Sequence, residues 1–182
     1  MLCDLEGNLI TGIAKKFYDN GSLFKETPYE KGLINGDVKY YWSDGILLTI
    51  APHKNGKQDG LTQSFYRAGG ISIETTYKNG KKEGIEKWYH DFHKVSFEQH
   101  FKNDKRHGLR REFYENGDLS KEINYENGKV VGVVSGYYQN GNLEYEITYE
   151  GGKPVSGYLY PGKRQMTKAH LYNYTKDIPD EE

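Results

Sequence analysis

Cysteine is almost missing from this chain. Cys3 is the only one in 182 residues, so no internal disulfide can form and no cysteine cluster can hold a metal. Long apolar runs are missing as well: no stretch approaches the ~18 to 20 residues that a membrane-spanning helix needs. A net charge of -1 leaves no basic field to attract phosphates, which argues against nucleic acid as the principal partner. No GxSxG, P-loop, HExxH or GxGxxG occurs, so the sequence offers no catalytic residue and no cofactor-binding motif. Apolar residues make up 35% of the chain, and leucine is not what builds its core.

What the chain has in excess is glycine and tyrosine, 22 and 17 residues respectively. A glycine recurs without slippage at Gly12, Gly36, Gly60, Gly84, Gly108 and Gly132, each 24 residues after the last. A fixed period of this size marks stacked supersecondary units. With that glycine as position 0, six units cover residues 12–156, the last carrying one extra residue. Residues 1–11 read as the tail of another unit, because Gly7 to Gly12 match Gly152 to Gly157. Residues 157–176 form a degenerate repeat and C-terminal cap, and residues 177–182 an acidic, disordered tail. Opening mid-repeat with a cysteine at position three fits a trimmed secretory or lipoprotein precursor. A short cytosolic protein with a partial cap fits equally, so cytoplasmic and exported or membrane-anchored locations both stay open.

Each unit carries two turn signals, of the Asn-Gly type at positions 7 to 9 and KNG, ENG or EKG at 18 to 20. Asn and Gly accept positive φ at little cost, which hairpin turns demand. Two reversals per unit mean two short strands. The fold class is therefore all-β: an elongated single antiparallel meander of about 14 strands, extending ~60 Å at ~4.8 Å per strand, with a short C-terminal helix. Thr167 is that helix's expected N-cap, with Met166 and Leu171 as a hydrophobic staple. In unit 4 the first turn holds Phe92 and His93 and is expected to be longer or distorted.

A three-residue first loop with a left-handed glycine would set position 5 opposite 11 and position 1 opposite 15. Parity then puts positions 5 (Phe17, Tyr41, Phe65, Tyr89, Phe113, Tyr137), 11 and 17 on one aromatic core face. Position 14 is Glu26, Ile50, Glu74, Glu98, Glu122 and Glu146, a row expected to face away from that core and to pair with Lys15, Lys39, Lys87 and Arg111 at position 3. A repeating carboxylate row has one environment throughout, unlike an acid/base pair, and reads as a solvated ladder of salt bridges.

Position 6 is Tyr18, Trp42, Tyr66, His90, Tyr114 and Tyr138, on the face opposite position 5. Large aromatics on the second side of a single-layer sheet form either a self-packed stripe or an exposed contact surface rich in hot-spot residues. Tyr18, Trp42, Tyr66, Tyr114 and Tyr138 are the expected partner-binding residues. Unit 4 gathers His90, His93, His100 and His107 with Asp91, Glu98 and Asp104; a zinc or nickel ion would need several of them to converge, and the spacing matches no metal signature. A diverged repeat explains them as well, and no metal ligand is assigned.

The pattern GxxxxFYxNGxLxxExxYKNGKxxG resembles the variant MORN-repeat family of bacteria, among them proteins labelled YwqK-like antitoxins. The resemblance runs from about residue 4 through GYLYPGKRQMTKAHLYNY. It implies an elongated sheet of hairpins without catalytic residues. It also implies a scaffold that binds a protein partner, such as a toxin blocked by an antitoxin or immunity protein. The alternative it implies is a scaffold that contacts membrane phospholipids, which the near-neutral charge weakens. The oligomeric state is open.

Overall fold

The computed structural model describes residues 3, 5–90 and 94–178. Among them are sixteen strands, in one open antiparallel sheet whose strands follow chain order, and one helix. The chain divides into two compact units, the first reaching Gly84 and the second running from Ile85. The first holds β1 (Gly12–Phe17), β2 (Leu23–Glu30), β3 (Leu33–Ile34), β4 (Gly36–Tyr41), β5 (Leu47–Lys54), β6 (Lys57–Gln58), β7 (Gly60–Phe65) and β8 (Ile71–Lys78). β9 (Lys81–Tyr89) crosses the division. The second continues with β10 (Val95–Lys102), β11 (Lys105–Phe113), β12 (Leu119–Glu126), β13 (Lys129–Tyr137), β14 (Leu143–Glu150), β15 (Lys153–Leu159), β16 (Arg164–Gln165) and α1 (Lys168–Thr175).

The two turns of each repeat have different chemistry. In the first, Tyr18 N–H donates to Ser22 O at 2.8 Å, closing three loop residues that end on Gly21 at φ 82°. The Asn20 side chain accepts from Ser22 N–H at 3.0 Å, and Asn116 and Asn140 repeat this two-residue reach, which is why Asn precedes the glycine. The second turn has two loop residues, both left-handed: Asn55 at φ 51° and Gly56 at φ 82°, for example. In unit 4 His90 N–H bonds to Lys94 O at 2.8 Å, the same closing pair as elsewhere. The turn expected to be longer or distorted holds Asp91, Phe92 and His93, which lie outside the described residues, as does the tail 179–182.

β3 and β6 are separate from β4 and β7 for a reason visible in the sequence. Pro28 and Pro52 stand opposite the break and have no N–H to donate, whereas β9, β11 and β13 face non-proline residues and run nine residues unbroken. Joined across those breaks, the sixteen strands make fourteen arms.

The register of each first hairpin differs from the sequence expectation. Position 5 does pair with 11 (Phe17↔Leu23), but Ile13 pairs with Pro28 rather than Thr27, because a β-bulge lies between Lys16 and Phe17. The same shift recurs in every other first hairpin whose pairing is described. An extra residue at a bulge flips the parity of everything beyond it. Positions 5, 11 and 17 consequently do not share a face. Tyr41 donates its hydroxyl to Glu26 at 3.0 Å, so position 5 lies beside the position-14 carboxylate it was expected to oppose.

Position 17 instead joins positions 2, 13, 15 and 22 on the other side, which we call the core face. In the second unit this face holds Ile123, Tyr125, Val130, Val134, Tyr145, Ile147 and Tyr149, all buried, with Met166 and Ile178. α1 is seated here. Thr167 caps it by accepting from His170 N–H at 3.3 Å, while the His170 ring accepts from Thr167 N–H in return. Met166 is buried and Leu171 packs against the same cluster, so the staple is formed; the Tyr174 ring rests on Tyr145, centroids 4.7 Å apart.

Gly136 exists because of Tyr145. A Cβ there would sit 2.1 Å from the ring, which is also in contact with Tyr174. Gly136→Ala should cost about 1–3 kcal/mol in urea unfolding, and less in a Tyr145→Leu background, since the two residues contact. Burial also pushes the Tyr145 phenol well above its ordinary value. The folded chain then keeps a proton that the unfolded chain releases near pH 10, so this residue's contribution is full below that pH and is lost as pH rises through the folded value. Stability measured at about pH 9 and about pH 11 should fall more for the native chain than for Tyr145→Phe.

Candidate interaction surface

The position-6 side chains stand on the core face, at its first-loop margin. Tyr18 packs edge-on against Phe24, centroids 5.0 Å apart, and Phe24 against Tyr40 at 6.0 Å. Their polar ends reach into the following repeat. Tyr18 donates to Tyr41 O at 2.7 Å, Tyr114 to Tyr137 O at 2.6 Å and Tyr138 to Tyr160 O at 3.5 Å. His90, with Trp42 one of the two members of the row that are not tyrosine, holds the same station, with its Nε2 3.0 Å from Phe113 O. Each hydroxyl therefore satisfies a strand-end carbonyl 22 or 23 residues ahead, and the ring is fixed in place with one side to solvent. Trp42 has no such acceptor for its Nε1; the Arg67 guanidinium lies 6.0 Å from its ring centroid and pairs with Asp44 at 2.5 Å. Tyr66 is half-buried at the equivalent place, and Tyr138 is 40% exposed.

This double use of the ring was hidden in the sequence, where position 6 shows aromatic character but not the carbonyl it reaches. The core face carries further groups that the sequence reading passed over. Trp88 stacks on Phe97 at 5.4 Å, Arg110 lies over the other part of that ring at 4.1 Å and pairs with Glu112 at 2.8 Å, and Gln99 is 1% exposed with its Oε1 unpartnered. Positions 2 and 15 supply this middle row, and their identities vary too widely to announce a common role: Val38, Glu86, Arg110 and Val134 at the one, Thr75, Gln99 and Ile123 at the other.

The opposite side, the ladder face, carries the alternating charges. Lys15 pairs with Glu26 at 3.1 Å, and Arg111 spans Glu98 at 3.3 Å and Glu122 at 2.9 Å. Hydrogen bonds from Lys15 first and Tyr41 second hold the Glu26 carboxyl below its usual range. An open hollow at the first-loop end is lined by Asp118, Leu119, Tyr137, Gln139, Asn140 and Gly141.

The described unit 4 histidines do not converge. His100 gives its Nδ1 to Leu109 O at 2.8 Å on the ladder face, whereas His90 is committed across the core face. Among the described residues no group of three or more His, Cys, Asp or Glu is placed to hold a metal ion. His93 lies outside them.

The hydroxyl clamp and the exposed ring are separable by mutation. Tyr114→Phe removes only the bond to Tyr137 O and should cost about 1 kcal/mol of stability. Tyr114→Ser removes the ring as well and should cost more; equal losses for the two, measured by urea unfolding, would show that the ring contributes nothing to packing.

A family model for the MORN repeat variant matches the chain six times, at residues 10–31, 34–55, 58–79, 82–103, 106–129 and 130–150. No curated protein matches it. Each matched stretch contains the second arm of one hairpin and both of its turns or their flanks, the elements that the glycine and asparagine positions dictate. With most of its length covered by this match and each first hairpin whose pairing is described built alike, the chain belongs to the MORN repeat variant family, a family of repeat scaffolds for protein or membrane interaction.

Proposed function

We propose that this chain is a non-enzymatic scaffold that binds one partner protein and occludes it, in the manner of an antitoxin or immunity protein of a bacterial cell. The observation that supports the reading most is the fixed aromatic row. Tyr18, Trp42 and Tyr66 in the first unit, and Tyr114 and Tyr138 in the second, each present a ring at the same place in the repeat, and Tyr18, Tyr114 and Tyr138 are held by their hydroxyls. A ring immobilised before association loses little further freedom on binding, which is what makes tyrosine an effective contact residue. Clusters of half-exposed aromatics are where interface energy concentrates.

A phospholipid surface is the rival ligand. The ladder face alternates in sign rather than presenting a cationic stripe, and the chain is near neutral, so little attraction to anionic headgroups is available.

The test begins with the product of a toxin-like gene adjacent to this one. Co-expression should relieve its toxicity, and calorimetry should report a nanomolar complex. Tyr114→Ser/Tyr138→Ser should weaken that complex at least tenfold, and Tyr114→Phe/Tyr138→Phe much less, because the rings remain. Absence of a complex, or flotation of the chain with anionic liposomes at low salt, would sink the proposal.

A further inference from the structure

On the ladder face of the second unit one side chain interrupts the charge pattern. Position 3 of a repeat stands between two position-14 residues, one from its own hairpin and one from the repeat before. Lys39 lies between Glu26 and Ile50, Gln63 between Ile50 and Glu74, and Arg111 between Glu98 and Glu122. Each of these side chains is long and carries a donor. Gln63 donates to Glu74 at 2.9 Å, and Arg111 bridges Glu98 and Glu122. Ser135 lies between Glu122 and Glu146 and brings neither length nor charge.

The carboxylates on either side of that gap are short of positive charge. Glu122 gives Oε1 to Arg111 at 2.9 Å, on the side away from Ser135. Glu146 accepts the Tyr160 hydroxyl at 2.7 Å, and among the described residues no Lys or Arg pairs with it; the Lys163 ammonium lies over the Tyr158 ring instead, 5.3 Å from its centroid. From β10 to β14 the row therefore sets Glu98, Glu122 and Glu146 against the guanidinium of Arg111. Along β13 the neighbours of Ser135 on this face are apolar. Val133, on one side, is 44% exposed. On the other side Tyr137 and Leu119 line the open hollow whose remaining walls are Asp118, Gln139, Asn140 and Gly141. Side chains two apart on a strand are ~7 Å apart, so apolar patch, acid-flanked gap and hollow follow one another at the spacing of alternate residues in an extended chain.

We propose that the ladder face from Val133 to Tyr137 is a docking site for an extended basic segment of a partner protein, of the pattern apolar-x-Arg-x-apolar. Its guanidinium enters from solvent between Glu122 and Glu146, as the guanidinium of Arg111 does from within the sheet between Glu98 and Glu122. The residues two before and two after it cover Val133 and fill the hollow. Arginine suits the gap better than lysine because its fork can hydrogen-bond to carboxylates on two sides at once. Charge complementarity selects this occupant over its rivals. An acidic segment or an anionic headgroup would meet Glu122 and Glu146 with Asp118 at the rim. A second copy of this chain docking the same strip would oppose like charges, since a two-fold contact presents the same patch from both sides. Such a contact presupposes the protein-binding scaffold proposed above but not its aromatic row, which stands on the core face.

The probe is the capped peptide Gly-Val-Thr-Arg-Thr-Leu-Gly, with Gly-Val-Thr-Glu-Thr-Leu-Gly as its charge-reversed control, each titrated at low salt into the isotope-labelled full chain and followed by amide chemical shifts. The Arg peptide should bind saturably with a Kd of about 1 mM or tighter, at least tenfold tighter than the Glu peptide, with the largest shifts at residues 118–122, 133–137 and 146–148. Ser135→Lys writes into this repeat the residue that Lys15 and Lys39 supply at the same position, so it should fold, raise the urea midpoint by an amount that shrinks with salt, and abolish binding of the Arg peptide. Ser135→Ala, which leaves the gap open, should bind as the native chain does. No saturable binding, equal binding of the two peptides, shifts centred on the core face, or undiminished binding by folded Ser135→Lys would each overturn the proposal. The toxin complex is measured without this peptide, so failure of the site and failure of the scaffold reading are told apart.

Discussion

A single extra residue in one arm of each first hairpin whose pairing is described decides what the two sides of this sheet are made of. The bulge between positions 4 and 5 lets the chain use one parity near the first loop and the other towards the second. Without it, tyrosines at positions 5 and 17 would crowd one side together, and the glutamates and lysines would share the other with little apolar cover. With it, position 5 lends its hydroxyls to the carboxylate ladder, as Tyr41 does for Glu26, and position 17 closes over the middle row, as Tyr125 and Tyr149 do. Each side then has both an apolar and a polar component, which a single layer exposed to water on two sides requires.

Burial is distributed unevenly along that layer. In the second unit the middle row is aliphatic, with Ile123, Val134 and Ile147 wholly enclosed, and the helix adds Met166, Leu171 and Tyr174. In the first unit the same row reads Thr27, Val38, Ala51 and Thr75, small or hydroxylated groups covered by their neighbours rather than by a second layer. At roughly 25 cal/mol per Å² of apolar surface, the aliphatic stretch contributes more per residue. Repeats in such arrays carry their own intrinsic stabilities and interface terms, so the two units need not melt alike.

Much of this was legible in the sequence, because the period and the turns are written in residue types with narrow backbone preferences. Gly21 and Gly117 in the first turn, Asn55 and Asn79 in the second, and Thr167 with Met166 and Leu171 at the helix each announce their conformation. The bulge was not legible, for it needs no special residue: position 12, where the extra residue falls, is Phe24, Leu48, Ser72, Ser96, Ser120 and Glu144. Missing it placed the right tyrosines on the wrong side. The aromatic row at position 6 was visible as a row, yet its bond to a carbonyl in the next repeat depends on pairing that no local pattern encodes. Ser135 standing between Glu122 and Glu146 was hidden for the same reason.

The hydroxyl clamp carries one more implication. Tyr18 reaches Tyr41 O and Tyr114 reaches Tyr137 O, in both cases one period less one residue ahead. Excising a whole period from the gene would leave each clamp a carbonyl at the correct distance, whereas excising any other length would strand it and invert the side chains beyond. The length of such a protein is therefore free to evolve, but only in steps of one module, and reach along a binding partner becomes a quantity that duplication can adjust without redesigning the surface that does the gripping.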